Sequence, residues 1–466
     1  IAAIAIDRPT DRFTNFALTQ TVHALAPHWR PALNQGQLTF GNPAGLIYVL
    51  QAYGGKDVAG QVRGLIQSKE ISTNGRRQLL QLLARTGNAD DLQNVFGFAL
   101  RDPQLLTSLP AIVEARRLVP SRAVHRELEA MLKHQNTNIR SSAARLAGLW
   151  KQGQLVPLLE ALVDGNDDDQ VRASAIHSLA ELVPDAAVKE FQPFITLRHS
   201  PQIYLAALKA VARQDVNTAA IAGVKLLAEL EDARSSGPVL STIMNRRGSA
   251  KAMAAALKQG DVSVDDAKLM SRWFSAAGHD NEELVNALKS RMGIKPGEET
   301  PYDISLVRTL AEEVRESGDA AAGKRVFTSS LANCIACHRV HNVTTTVGAF
   351  PKGPDLTAVA AGLPLELIIE SVIWPKRQIK EGFEMTTILT DDGRAFSGYL
   401  TSEGNATVGL RDLATGKVRA IPTETIEDRV NKGTAMPSGF TNALTRKELR
   451  DLIAWLARRK GSGIKP

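Results

Sequence analysis

Only two cysteines occur among the 466 residues of this chain. They stand at Cys334 and Cys337, with His338 directly after the second, in Cys334-Ile335-Ala336-Cys337-His338. C-x-x-C-H is the attachment signature of a c-type haem. Residues i and i+3 of a helix share a face, so both thiols can add to the two vinyl groups of one porphyrin. His338, at i+4 from Cys334, then lies beneath the iron as its proximal ligand. Half of a zinc site and a Cys334–Cys337 disulfide are the competing readings. Zinc takes about four N/S ligands, and no further cysteine exists to supply them.

The sixth iron ligand must come from the other side of the ring. His341 is too close to His338 to reach round a porphyrin. Met385 and Met436 are the methionines that follow the motif. Met436 is favoured, because Thr434-Ala435-Met436-Pro437 lies just before a terminal helix. That helix begins at the capping box Thr445-Arg446-Lys447-Glu448. Leu449, Leu452, Ile453 and Leu456 form its apolar stripe, bordered by Trp455.

Composition sets the frame for these residues. Hydrophobic content of 44% and charged content of 23% are those of an ordinary globular protein. Aromatics at 5% suit Ala/Leu-rich helical repeats better than a β-sandwich. The formal net charge of +7 is mild for this length and comes with no recognition motif, which argues against nucleic acid as a partner. No apolar run approaches the roughly 18 residues of a membrane span. Ile1–Ile6 is apolar but too short for an intact signal peptide and lacks a basic flank. Covalent haem attachment implies assembly outside the bacterial cytoplasm. A periplasmic or otherwise exported location is therefore expected, with a signal sequence upstream of this chain.

Residues 1–292 read as helix after helix, with Leu/Ala/Val-rich periodic segments separated by short Gly, Pro, Asp or Asn breaks. Ile139, Val171 and Ile203 recur at 171 − 139 = 32 and 203 − 171 = 32 residues, and Ala143, Ala175 and Ala207 keep the same period. This pattern resembles the inner helices of HEAT repeats, with Arg140 and Arg172 at the position of the arginine that links neighbouring turns. Tyr204 replaces it in the third copy. An α-solenoid with a long docking surface is expected. His23, His28, His125, His134, His177, His199 and His279 are scattered along it at no metal spacing and are read as surface or cap residues. A polar Pro/Gly stretch at 293–302 is read as the linker to a second domain, 303–466.

The second domain has the pattern of a small, all-α cytochrome c. Gly323 and Phe327 lie one helical turn apart and, with Trp455, suit the crossing of first and last helices. Gly353-Pro354-Asp355-Leu356 matches the G-P-x-L stretch in which the proline carbonyl accepts the proximal histidine's Nδ1–H, which makes Pro354 its candidate here. Residues 386–422 switch to strand and turn signals and are read as a small antiparallel β insert, with Met385 at its start.

Together these features resemble the planctomycete and verrucomicrobial haem-binding family that ends in a C-x-x-C-H domain. The resemblance rests on Gly318-Asp319, the haem motif, Gly353–Leu356, the β insert and Met436-Pro437. It covers about residues 317–460, and more loosely the helical part with its opening Asp7–Phe13. Members often carry an N-terminal β-propeller resembling sugar dehydrogenases, a pattern not found here. The resemblance implies a mono-haem c-type cytochrome on HEAT-like repeats, relaying electrons from a donor dehydrogenase to an acceptor cytochrome or oxidase. It would be an electron carrier rather than a catalyst by itself. The alternatives are the electron-accepting part of a sugar- or alcohol-type dehydrogenase, a haem peroxidase, or a haem-based sensor or docking scaffold.

Overall fold

The computed structural model describes residues 11–35, 37–38, 40, 42–230, 233–279, 281–294, 300–341, 343, 352–413 and 415–461. The opening segment Asp7–Thr10 and residues 295–299 of the linker stretch lie outside them. Contacts divide the chain into two compact units, Ile1–Ala256 and Leu257–Pro466.

In the first unit the 32-residue period becomes a row of packed helices. Thr137–Leu149, Asp169–Leu182 and Pro201–Gln214 are successive members, and each packs on the next. Two of them start where a side chain satisfies open backbone N–H groups: Asn136 accepts from Asn138 and Ile139, and Asp168 from Gln170. Ala143, Ala175 and Ala207 are fully buried along the row, so small side chains let the helices approach. They come close at Gly148, where a Cβ would stand 2.5 Å from Ser178 Cα. Ser178 donates to the Ala144 carbonyl at 2.7 Å across the same seam.

Both repeat arginines tie turns together. Arg140 donates to the His134 and Gln135 carbonyls and pairs with Asp167 at 2.7 Å, just ahead of the following helix. Arg172 donates from Nε to the Val163 carbonyl at 3.0 Å. Tyr204 is buried instead and fills core space. His177 departs from the surface reading: burial, with Lys209, Arg145 and Arg213 nearby, pushes its imidazole down to about 3. It is neutral at ordinary pH.

The second unit begins earlier than the Pro/Gly stretch, because Val264–Ala276 is bound into it. From that helix Arg272 forks onto Glu448 at 2.9 and 2.7 Å and also reaches the Ala443 carbonyl. Lys268 donates to the Leu444 carbonyl at 2.9 Å, and Asp265 accepts from the Arg446 N–H at 2.8 Å. These partners lie in or beside the start of the terminal helix, Arg446–Leu456.

The core of this unit forms where Ile304–Ser317, Ala320–Thr328, Leu365–Ile373 and Arg446–Leu456 bury their apolar stripes together. Ala320–Thr328 crosses the terminal helix at Gly323. A Cβ there would lie 2.5 Å from the Asp451 carbonyl carbon and 2.8 Å from Trp455 Cβ. One turn on, Phe327 and Trp455 pack with ring centroids 4.5 Å apart.

Among the described residues, one antiparallel sheet joins β1 (Glu384–Thr390), β2 (Ala395–Glu403), β3 (Thr407–Asp412), β4 (Val418–Pro422) and β5 (Ile426–Thr434). Their order is β4-β3-β2-β1-β5. The insert expected at 386–422 therefore runs to 434, because a fifth strand returns beside β1. Its own small core is Ile388, Val408, Leu410 and Ile421.

Candidate functional site

The stretch Cys334–Ala336 forms a single 3-10 turn rather than an α-helix. Asn333 enters it with φ 46°, a left-handed conformation that asparagine tolerates better than most residues. In a 3-10 turn, side chains at i and i+3 eclipse. The Cys337 N–H closes the turn onto the Cys334 carbonyl at 3.2 Å, and the His338 N–H follows onto the same oxygen at 2.9 Å. Both cysteines are free thiols and half-buried. No disulfide links them, and burial pushes the Cys334 thiol up to about 11.

A strap from Lys352 to Leu356 lies against this turn. The Gly353 N–H donates to the Cys337 carbonyl at 2.8 Å, and the Leu356 N–H to the Arg339 carbonyl at 2.9 Å. The His338 ring rests on Gly353: a Cβ there would stand 2.7 Å from Cε1 and 2.9 Å from Nδ1. Only glycine leaves that space. His338 Nδ1 is 2.9 Å from the Pro354 carbonyl oxygen. A carbonyl can only accept, so Nδ1 carries a proton, and in the neutral ring Nε2 is then the nitrogen with the lone pair. Burial holds the His338 pKa below its ordinary value, opposed by the bond to Pro354.

Met436 lies two residues beyond β5, its N–H bonded to Thr434 Oγ1 at 3.1 Å. It packs against the helical core, as do Cys334, Ile335, Leu356, Val359 and Leu363, all of them only partly buried. Met385 sits in β1, between Tyr399 of β2 and Gly433 of β5, and is held by the sheet. His341 donates its backbone N–H to Thr357 Oγ1 at 2.9 Å. Among the described residues, no group of three or more His, Cys, Asp or Glu converges as a metal cluster would.

These features fit a covalently held haem. Two free thiols sit at the ends of one turn, an oriented imidazole follows, and Gly353 keeps a cradle that any side chain would fill. Partly buried apolar residues, Met436 among them, line the same helical core.

Other parts of the architecture escaped the sequence reading. Asp451 is almost wholly buried in the terminal helix. It accepts from the Asp319 N–H at 3.1 Å and pairs with Lys447 and Arg450. Lys447 at i−4 was its one local signal. Tyr399 is buried on β2 and donates its hydroxyl to the Lys352 carbonyl at 2.5 Å, a bond that spans 47 residues and leaves no local pattern.

Residues 126–212 match the family described as HEAT repeats. The match covers the row of helices in the first unit and stops short of the second. No curated protein matches the chain. Among the described residues, no helix is long and apolar enough to cross a membrane.

Proposed function

We propose that the second unit is a mono-haem c-type cytochrome and that the chain is an electron-transfer module carried on HEAT repeats. The observation that carries this reading is the His338–Pro354 hydrogen bond, which engages Nδ1 and leaves Nε2 as the ring nitrogen available to a metal, directly after two free thiols in sequence. In this reading Cys334 and Cys337 would hold the haem through thioethers, and His338 and Met436 would ligate its iron. The Pro354 carbonyl makes the imidazole a stronger donor by holding its proton. The haem supplies one-electron redox chemistry when bound. The chain's own residues would hold it and fix the imidazole tautomer. The HEAT repeats expose an extended surface of the kind that docks other proteins. A donor dehydrogenase and an acceptor cytochrome or oxidase are the partners proposed, in an exported location where haem is attached.

The test is the full chain, exported by a host with a haem-attachment system. Acid–acetone extraction is expected to leave the colour on the polypeptide, whose intact mass exceeds the apo mass by one haem. Extraction of all the colour into the solvent would overturn the reading.

A further inference from the structure

We propose that Tyr399 is a positioning residue for the proximal histidine, so that the β insert holds the haem ligand in place. This rests on the haem reading above. Side chains alternate between the faces of a strand. Phe396 and Leu400 of β2 pack toward the sheet's own core, which places Tyr399 on the opposite face. There it is 3% exposed, its ring edge-on to Phe383 at 5.4 Å. Its hydroxyl leaves the sheet and donates to the Lys352 carbonyl.

Lys352 opens the strap that orients His338. Three consecutive residues are fixed in turn: Lys352 by Tyr399, Gly353 by the Cys337 carbonyl and the imidazole ring, and Pro354 by Nδ1. Freeing the first lets the strap's peptide planes rotate, and the Pro354 carbonyl then drifts from Nδ1. The same cross-strand row continues from Tyr399 through Met385 to Gly433, just before Met436. The row is thus backed by the strands that deliver the distal loop.

Tyr399→Phe keeps the ring and removes the hydroxyl. Losing one hydrogen bond of ordinary net worth, about 1 kcal/mol, corresponds to about a fivefold rise in strap opening. In the ferrous holoprotein, NMR is therefore expected to show the His338 Nδ1 proton exchanging about fivefold faster in Tyr399→Phe. The imidazole becomes a poorer donor, ferric iron is less stabilised and the reduction potential rises. Ile388→Val loosens the sheet core without touching the strap and should change neither readout.

A Tyr399→Phe protein with unchanged exchange and potential would overturn the proposal. So would Ile388→Val producing the same changes, since the tyrosine would then act only through sheet stability. Failure of Tyr399→Phe to fold overturns it as well, because the hydroxyl would belong to the folding of the sheet. If the wild-type chain carries no covalent haem, the proposed function fails first and takes this proposal with it. A haem-bearing wild type with an indifferent Tyr399 refutes the positioning role alone.

Discussion

Gly323 and the Asp451 peptide are in backbone contact where two helices cross. A Cβ on Gly323 would lie 2.5 Å from the Asp451 carbonyl carbon, an approach that real side chains do not make. The obstacle is backbone rather than a flexible side chain, so relief requires the helices to separate. Separation would also unstack Phe327 from Trp455. Gly323→Ala is therefore expected to cost about 2–3 kcal/mol, in the upper range for overpacking a core. Denaturant unfolding followed by tryptophan fluorescence measures it. An unchanged midpoint would mean that the crossing yields easily.

Arg272 predicts where the second unit can be cut. A fragment starting at residue 257 keeps Arg272, Lys268 and Asp265 on the terminal helix, whereas one starting at 303 loses all three. Hydrogen bonds to charged groups contribute about 1.5–3 kcal/mol each. The shorter fragment is expected to be less stable than the longer by at least ~2 kcal/mol. Arg272→Ala in the full chain should reproduce part of that loss. Equal unfolding midpoints for the two fragments would place the boundary at the Pro/Gly stretch after all.

The sequence could not reveal that contact, since Arg272 and Glu448 are 176 residues apart. What it did carry was local and periodic. The 32-residue spacing of alanines is legible because each copy meets the same neighbour in the same way. The Thr445 capping box is legible because both of its bonds close within one turn. Four strands of the insert announce themselves by β-rich runs and turn residues. β5 does not, because charged and polar residues break up its apolar alternation. Glu427, Asp428 and Arg429 occupy both of its faces, and such charge protects an edge from pairing with other chains. The C-x-x-C-H motif and Pro354 were visible by type and spacing. Gly353 was visible as the glycine of the same stretch, though not its contact with the His338 ring, and Tyr399 was not visible at all, since it acts through a contact that only the fold creates.

Asp451 sets an expectation for acid stability. Burial alone would raise its carboxyl pKa, but Lys447, the Asp319 N–H and Arg450 together hold it below the ordinary value. A carboxyl depressed in the folded state adds stability above its unfolded pKa of about 3.9 and loses it as pH falls through the folded value. Asp451→Asn is expected to cost about 3 kcal/mol near neutral pH, as when one partner leaves a buried pair. Below about pH 4 the gap between variant and wild type should narrow, because the wild-type carboxyl is then being protonated as well. Thermal midpoints across the pH range measure this. A gap constant from neutral to acid pH would show that the loss is one of packing and not of charge.

Met436 and Met385 make opposite predictions from their positions. Met436 packs against the helical core, as Cys334, Ile335 and Leu356 also do, in the segment between β5 and the Thr445 cap. Met385 is fixed in β1 between two paired strands. A thioether is a soft ligand that favours ferrous over ferric iron, so the methionine that binds holds the potential up. Met436→Ala is expected to abolish the weak long-wavelength ferric band of methionine–iron ligation and to open the reduced haem to CO. It should also lower the potential by on the order of 0.1 V, a fraction of the ~0.8 V that axial ligation spans. Met385→Ala should leave all three nearly unchanged, at the cost of some sheet stability. If Met385→Ala removes the band while Met436→Ala keeps it, the distal ligand comes from the sheet, and β1 must then lie over the haem when it is bound.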